Sequence, residues 1–276
     1  MKKPKITIVT PSFNQGEFLE DTILSVLEQN YPNLEYMIID GGSNDNSIEI
    51  IKKYAKHLSY WVSEKDNGQT HAINKGFKRA TGELINWLNS DDLLDIAALN
   101  TLSESYSSDI DIYFGDYSAI SANSDVLYSR KSAPYNKRSL CWGRQLSSQP
   151  AVFFKRNLLE SAGYMDESFF FCMDIEFWTR CARNGAKFKQ IQSPIGITRV
   201  HGDAKTTKYQ DVLYKEHKLL MRKYEMLELF KQDSYVEDVY YKFMNRFWRY
   251  YSALSRAVVR QDFSFNQATK ALDTID

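Results

Sequence analysis

Short apolar runs alternate with segments of helical spacing at the start of the chain, and this alternation constrains the fold more than any other feature. The runs have the length and the β-branched or aromatic content of buried strands: Ile6–Thr10, Glu35–Asp40, Tyr60–Val62 and Leu84–Asn89. Helical periodicity fills the three segments between them. Strands and helices that alternate in this order predict an α/β domain with a mostly parallel, doubly wound sheet.

Local sequence signals predict where some helices and strands begin and end. Asn14-Gln15-Gly16-Glu17 is typical of a capping box, so Asn14 is expected to cap the first helix. Later in the chain we expect a hairpin over Tyr117–Ser129 and a helix over Asp174–Asn184. Further extended segments are expected at Ile110–Phe114, Gln149–Lys155, Lys187–Gln192 and Ile195–His201.

The last part of the chain lacks strand signals. Lys208–Gln232 and Tyr235–Arg260 both have the pattern of long amphipathic helices. We therefore expect a catalytic domain over residues 1–205 and a C-terminal helical region over residues 206–276. An aromatic stripe with arginines in the second helix suits either packing against the domain or a copy of it, or contact with an anionic membrane face.

Composition excludes several classes of protein. Lysine plus arginine and aspartate plus glutamate both number 35, so no basic excess is available for binding nucleic acid nonspecifically. The three cysteines, Cys141, Cys172 and Cys181, show no zinc spacing and are expected to be small buried apolar residues. No apolar segment has the length of a membrane span or of a signal peptide, which favours a cytoplasmic protein.

Polar and acidic residues follow three of the expected parallel strands. These loops are Thr10–Asn14, Asp40–Asp45 and Asn89–Asp92. Ligands of open parallel sheets bind beyond the carboxyl ends of the strands, so the loops are expected to form one site. The glycine-rich fingerprints of dinucleotide and P-loop sites are absent after the first strand.

The adjacent carboxylates of Asp91 and Asp92 suit a hard cation such as Mg²⁺ or Mn²⁺, which commonly uses phosphate oxygens of the substrate as further ligands. By itself, the pair is also compatible with the N-cap of a helix through Leu93–Ala98. Its expected position beside Asp40 and Asp45 favours the metal site.

Together the blocks resemble the signature segments of family-2 inverting glycosyltransferases with the GT-A fold. The resemblance covers about residues 4–202. It includes Thr10–Asn14, Ile38–Ser47, Ser63–Thr70, Asn89–Asp92, Gly163–Glu167 and Asp174–Trp178 in the expected order. The GT-A fold binds nucleotide-diphosphate sugars, so the resemblance implies this donor class.

The resemblance also implies roles for individual residues. Those expected to contact the nucleotide or donor sugar are Thr10, Pro11, Phe13, Asn14, Asp40, Asp45, Gly68, Lys75, Asn89 and Asp91. Alternatives remain open for some of them: core packing for Phe13, a turn role for Asp40 and a solvated helix position for Lys75. Asp92 would bind the metal, and His201 would complete its shell or contact the diphosphate unless it is a surface histidine.

Inversion requires a base opposite the leaving group. The resemblance implies a carboxylate in Asp174-Ile175-Glu176, with Asp174 as the first candidate and Glu176 as the second. Asp174 also suits the N-cap of its helix, and the two roles are compatible. Aromatic residues around Tyr164–Trp178 suit an acceptor sugar or, for most of them, core packing.

The sequence thus predicts a metal-dependent inverting glycosyltransferase that uses Mn²⁺ or Mg²⁺ and favours a UDP-sugar donor. The acceptor would be a saccharide or a lipid-linked glycan of bacterial surface polysaccharide synthesis, with peripheral membrane contact or homodimerisation through the C-terminal helices. Two alternatives are a sugar nucleotidyltransferase and a noncatalytic nucleotide-sugar-binding protein. The first would need a glycine-rich basic loop after the first strand, and the second predicts that a metal or base carboxylate is missing.

Overall fold

The computed structural model describes residues 3–135, 146–205 and 210–224. The strands are β1 (Ile6–Ser12), β2 (Leu34–Asp40), β3 (Tyr60–Ser63), β4 (Leu84–Trp87), β5 (Leu93–Leu94), β6 (Ile112–Ser121), β7 (Val126–Arg130), β8 (Val152–Lys155) and β9 (Phe188–Val200). The helices are α1 (Gly16–Leu27), α2 (Ser47–Tyr54), α3 (Gln69–Phe77), α4 (Ala98–Ser105), α5 (Asn157–Ser161), α6 (Met173–Arg183) and α7 (Gln210–Lys223). Short 3₁₀ turns occupy Ala55–His57 and Gln149–Ala151.

The strands form one sheet in the order β3-β2-β1-β4-β8-β6-β9-β5, with β7 paired to β6. The four strands β3, β2, β1 and β4 are parallel, as the alternation of strands and helices predicts. Their carboxyl ends therefore meet at one edge of the sheet, and the loops that follow β1, β2 and β4 lie together there.

The second half of the sheet is mixed. Strand β8 runs antiparallel to both β4 and β6, whereas β9 runs parallel to β6 and antiparallel to β5. The two extended segments expected between Lys187 and His201 form one long strand, β9. The segment expected as a strand over Gln149–Lys155 begins with a 3₁₀ turn, and only Val152–Lys155 pairs in the sheet.

Apolar residues cover both faces of the sheet. Successive side chains of a strand point to opposite faces, and in β1 Ile8 belongs to one buried cluster while Val9 belongs to the other. In β4 the same division separates Leu84 from Ile85. The sheet is thus buried on both sides, which agrees with continuous apolar strands rather than alternating ones.

The start of α1 differs from the predicted capping box. Gln15 occupies the N-cap position without a side-chain bond, and Asn14 has a left-handed backbone with a φ of 51°. A carboxylate from another loop replaces the local cap, because the N–H of Gly16 donates to Asp45 Oδ2 over 2.9 Å. A Cβ on Gly16 would lie only 1.8 Å from Asn46 Oδ1, so a side chain there would prevent this close approach.

Helix α7 follows the predicted domain boundary at residues 205/206 and packs on the catalytic domain. Its Leu213, Leu220 and Met221 belong to the same buried cluster as Met173 and Phe177 of α6. Residues 210–223 thus contribute to the core of that domain. The expected second helix, Tyr235–Arg260, and its aromatic stripe lie outside the described residues, as does Cys141.

The sequence predicts buried cysteines and no membrane-spanning segment. Cys172 and Cys181 are buried and free, which confirms the prediction for these two cysteines. Within the described ranges, none of the helices has the length and apolar content needed to cross a membrane.

Candidate active site

The loop after β1 presents an aromatic ring at the carboxyl edge of the sheet. Thr10 and Pro11 are buried in β1, where Thr10 Oγ1 lies 3.1 Å from the hydroxyl of Tyr36. Phe13 is 60% exposed, so the alternative that it packs in the core is wrong. Asn14 joins this loop to the next, since its Oδ1 accepts a hydrogen bond from the Asn44 N–H over 2.9 Å. An exposed ring beside fixed polar groups suits stacking of a nucleotide base.

The acids of the β2 loop organise the loop itself. Asp40 is fully buried and accepts hydrogen bonds from the Gly42 and Ser43 N–H groups and from the hydroxyls of Ser43 and Ser63, at 2.5–3.0 Å. This is the turn role that the sequence left open for Asp40. Asp45 accepts hydrogen bonds from the Gly16 N–H at the start of α1 and from the Ser47 N–H. Burial raises the pKa of Asp45, but these hydrogen bonds outweigh burial, so the pKa is lowered.

The acid pair, Asp91 and Asp92, is not a helix cap. The residues that follow it, Leu93–Leu94, form β5 and pair with β9, and α4 begins at Ala98 with no side-chain cap. Asp92 is 4% exposed. Its Oδ1 accepts from the Arg199 N–H over 3.0 Å, and its Oδ2 accepts from the Asn89 amide over 3.0 Å. The pairing of β5 with β9 thus brings the acid pair against the end of β9.

This arrangement disfavours the ionised form of Asp92. Burial and the neighbouring Asp91 carboxylate raise the pKa of Asp92 well above its usual range, despite the two hydrogen bonds and the nearby Arg199 charge. Such a carboxylate is stabilised in its ionised form by an added cation.

His201 lies at the acid pair and not at the surface. It is 4% exposed, its Nε2 is 3.0 Å from Asp91 Oδ2, and its ring lies 4.6 Å from the ring of Phe18. The alternative of a surface histidine is therefore wrong, although the structure places the ring against Asp91 rather than against the expected metal ligand Asp92.

Sequence reasoning missed Arg199, which holds the acid pair in place. Its guanidinium donates to the carbonyls of Asp91 and Ala122 and to Asp21 at 2.9–3.2 Å, and it lies over the Phe18 ring. The sequence signal for Arg199 was its position two residues before His201, but the residues that Arg199 contacts are distant in sequence.

The donor set fits a divalent cation of the Mg²⁺ or Mn²⁺ type. Over residues 3–135, 146–205 and 210–224, no three or more histidine, cysteine or acidic side chains are grouped as a preassembled metal site. Such cations are often held by one or two carboxylates, with water and substrate phosphates as the other ligands. Asp92 and Asp91 meet that requirement, because Asp92 is a buried carboxyl group whose ionised form an added cation would stabilise, and Asp91 is adjacent to it.

Asp174 occupies the first turn of α6 and is half-buried. Its Oδ1 accepts from the Ile175 N–H over 2.7 Å, and burial raises the pKa of Asp174 to about 6. The nearby charge of Lys205 acts in the opposite direction. A carboxylate that titrates just below neutral pH is ionised at pH 7 and still accepts a proton readily, as a general base requires.

Glu176 has different surroundings. It is fully buried and accepts from Arg180, Lys223 and the Tyr224 hydroxyl. Burial raises its pKa, but these hydrogen bonds outweigh that effect and the pKa is lowered. A carboxylate bound by two cations and a phenol is a poor proton acceptor, so the geometry favours Asp174 as the base and gives Glu176 a role in attaching α7 to α6.

A chain of hydrogen bonds joins the acid pair to the surroundings of Asp174. The Asn89 amide donates to Asp92, and Asn89 Oδ1 accepts from the Gln69 side chain over 2.7 Å. Gln69 Oε1 accepts from the Lys205 ammonium over 2.8 Å, and Lys205 also donates to the Phe170 carbonyl just before α6. The bonds thus lead from Asp92 to the loop before α6, and the charge of Lys205 acts on Asp174. Sequence reasoning had assigned a role to neither Gln69 nor Lys205.

Two further candidates lie around α3, which borders the site. Gly68 is the N-cap of α3, with a φ of 107° that favours glycine. Lys75 forms an ion pair with Glu64 on the exposed side of α3.

Most acceptor-side aromatics are core residues. Phe169 and Trp178 are buried, and Trp178 stacks on Trp87 at 5.5 Å. Tyr164 and Phe170 are exposed and remain candidates for sugar contact.

An α/β sheet with an acid-rich carboxyl edge is compatible with a transferase that acts on nucleotide sugars. Residues 7–163 match the family described as Glycosyl transferase family 2. The chain therefore belongs to glycosyl transferase family 2.

Named relatives agree with this assignment. An uncharacterized glycosyltransferase of Mycobacterium tuberculosis is 30% identical over 183 residues, which cover 65% of this chain and 69% of the relative. The poly(ribitol-phosphate) beta-N-acetylglucosaminyltransferase TarP of Staphylococcus aureus is 30% identical over 176 residues, which cover 62% of this chain and 47% of TarP. The chain thus spans only part of each relative.

Solved structures confirm the predicted GT-A fold. The mannosyltransferase PcManGT of Pyrobaculum calidifontis, in complex with GDP-Man and Mn²⁺, has a TM-score of 0.63 at 18% identity and covers 99% of this chain and 80% of its own. S. aureus TarS, in complex with UDP-GlcNAc, has a TM-score of 0.61 at 17% identity and covers 79% of this chain and 66% of its own. At these identities the likeness concerns the fold.

Proposed function

We propose that this protein is an inverting glycosyltransferase that moves a sugar from a nucleotide-diphosphate donor, with a UDP-sugar favoured, to a saccharide or lipid-linked glycan. The observation that carries the proposal is the combination of two carboxylate centres in one site. Asp91 and Asp92 form an acid pair at the carboxyl edge of the sheet, and Asp174 is a separate half-buried carboxylate with a pKa of about 6. Hydrogen bonds lead from Asp92 through Asn89 and Gln69 to Lys205, whose charge acts on Asp174.

The β1 and β2 loops supply the nucleotide side of the site. The exposed Phe13 ring is available for base stacking, and Asp40 and Asp45 keep the two loops rigid. Support for a UDP donor comes from the complex of TarS with UDP-GlcNAc, whereas PcManGT is bound to GDP-Man.

A divalent cation held by Asp92, with Asp91 and His201 beside it, would neutralise negative charge on the departing nucleotide diphosphate. The complex of PcManGT with Mn²⁺ supports this assignment. The role of the chain's own residues is to fix the acid pair. The Arg199 N–H and the Asn89 amide hold both oxygens of Asp92, and the Arg199 guanidinium holds the Asp91 carbonyl.

Asp174 would take the proton from the acceptor hydroxyl as that oxygen attacks the anomeric carbon. Its position in the first turn of α6 favours the ionised form through the helix dipole, while burial keeps the carboxylate basic. Attack on the face opposite the diphosphate inverts the configuration, so an α-linked donor would give a β-linked product. TarP, whose name describes a beta-N-acetylglucosaminyltransferase, supports this outcome.

TarP also motivates the acceptor class, because its name describes transfer to poly(ribitol-phosphate). A surface polysaccharide or its lipid-linked precursor is thus the favoured acceptor, and a cytoplasmic location with peripheral contact at the inner membrane face would suit it. The exposed Tyr164 and Phe170 rings offer apolar surface to such a glycan.

The test measures release of nucleotide diphosphate from a panel of UDP- and GDP-sugars, with Mn²⁺ or Mg²⁺ and a glycan acceptor. We expect metal-dependent turnover with at least one donor, and a product anomer opposite to that of the donor. Asp174→Asn should bind the donor with Mn²⁺ as the wild type does but transfer no sugar. Binding of UDP without turnover of any sugar nucleotide would instead support a noncatalytic binding protein.

A further inference from the structure

We propose that Lys205 is a positioning residue that couples the two halves of the active site. Its side chain fixes the position of the loop before Asp174 relative to the acid pair, and its ammonium stabilises the Asp174 carboxylate. The inference rests on the proposed function, because it concerns the same site.

The contacts of Lys205 reach both halves at once. Its Nζ donates to Gln69 Oε1 over 2.8 Å and to the Phe170 carbonyl, and it lies 3.8 Å from the centre of the Phe170 ring. Gln69 belongs to α3 and leads through Asn89 to Asp92. Phe170 lies four residues before Asp174. A single side chain therefore bridges the donor and the base-bearing segments.

The loop that Lys205 holds is secured from its other side by α7. Glu216 accepts hydrogen bonds from the N–H groups of Phe170, Phe171 and Cys172 at 2.6–2.8 Å. Phe170 is thus bound through its N–H by a carboxylate and through its carbonyl by an ammonium. Glu216 also accepts the Phe171 N–H, so the N–H and the carbonyl of the Phe170–Phe171 peptide group are both held by charged side chains. These bonds fix the backbone shortly before α6, and small displacements of a catalytic group cost much of the rate.

The charges around Lys205 explain why a cation is needed there. Asp174 on α6 and Glu216 on α7 act on it electrostatically, together with the Cys172 thiol. Burial lowers the pKa of Lys205 to about 8, and the carboxylates act against that effect. Asp174 in turn experiences the Lys205 charge. Loss of the ammonium would leave the effect of burial on Asp174 unopposed by the Lys205 charge.

The experiment compares wild type with Lys205→Met and Lys205→Arg. Lys189→Met is the matched control, because Lys189 is a half-buried lysine that donates to the Ser105 carbonyl away from the site. In Lys205→Met we expect kcat to fall at least about tenfold, with the Kd for UDP and Mn²⁺ nearly unchanged. The acid limb of the pH–rate profile should move up by about one pH unit, because an opposite charge near Asp174 is lost. Lys205→Arg should restore the position of the limb.

A second readout requires no turnover. Carbon-13 NMR follows the titration of the aspartate carboxyls, and the signal that is missing in Asp174→Asn identifies Asp174. The titration midpoint of Asp174 should move up in Lys205→Met, as the acid limb does, and stay unchanged in Lys189→Met. An unchanged midpoint, or an equal loss of kcat in the methionine and arginine variants, would overturn the proposal for Lys205. Absence of turnover in the wild type would instead overturn the proposed function, while the NMR titration would still decide the role of Lys205.

Discussion

Replacing Asp174 with asparagine should make the protein more stable while removing its activity. The structure places the Asp174 carboxylate in a half-buried position at the start of α6, where burial raises its pKa from 3.8 to about 6. That difference corresponds to about 3 kcal/mol by which the folded state disfavours the ionised form. Asparagine avoids the buried charge, and its carbonyl oxygen is able to accept the Ile175 N–H bond that Asp174 Oδ1 accepts.

The gain in stability should depend on pH in a defined direction. Below pH 3.8 Asp174 is protonated in the folded and the unfolded protein, and wild type and variant should differ little. Between pH 3.8 and about 6 the folded protein retains a proton that the unfolded chain has released, so rising pH lowers the free energy of unfolding of the wild type. The asparagine that replaces Asp174 does not titrate, and the advantage of the variant should therefore grow to about 3 kcal/mol above pH 6.

Urea denaturation in steps from pH 4 to pH 8 measures the difference in stability between wild type and variant. Tryptophan fluorescence reports the unfolding, because Trp87 and Trp178 are stacked in the core. Asp166→Asn is a control of opposite sign. Hydrogen bonds from Lys223 and Ser168 outweigh burial and lower the pKa of Asp166 to about 2, so its ionised form stabilises the fold above pH 3.8 and its loss should destabilise. A stability difference for Asp174→Asn that is independent of pH, or a less stable variant at pH 8, would refute the reasoning.

Three further outcomes are expected. Asp92→Asn should lower metal-dependent donor turnover by roughly 100-fold or more and abolish the thermal shift that UDP gains from added Mn²⁺, because the buried carboxylate is lost. Phe13→Ala should weaken UDP binding in calorimetry by about 1–3 kcal/mol without unfolding the protein, because the ring is exposed and its proposed role is to stack on the base. Glu216→Gln should lower the free energy of unfolding in urea by about 1–3 kcal/mol, because three loop N–H groups lose a charged acceptor.

The parallel half of the sheet and its loops could be predicted because their signals are local. Each strand of β1–β4 is a short apolar run, and the polar residues come directly after it, so the sheet topology alone brings Asp40 and Asp92 to one edge. The raised pKa of Asp92 could not be read from the sequence. It depends on burial by β9, more than one hundred positions later in the chain.

Residues that act through distant partners escaped prediction for the same reason. Asn14 has the sequence of a helix cap, yet the Asp45 carboxylate takes that role from another loop and leaves Asn14 to bind the Asn44 N–H. Glu216 and Lys205 lie in segments without a recognisable motif, and their roles follow only from contacts with Phe170. The sequence predicts that Asp174 and Glu176 face different directions, since positions i and i+2 do not share a helix face, and the choice of Asp174 as the base stays a prediction.

The pairing of β5 with β9 has a consequence for synthesis of the chain. Leu93 pairs with Ile197, and the Arg199 N–H that holds Asp92 lies 107 positions after it. The β1–β4 unit can collapse as soon as it leaves the ribosome, but closure of so long a loop is slow and must await β9. Until then Asp92 lacks the burial that raises its pKa. The cation site proposed at Asp92 would therefore form only at the end of folding, when β9 has paired with β5.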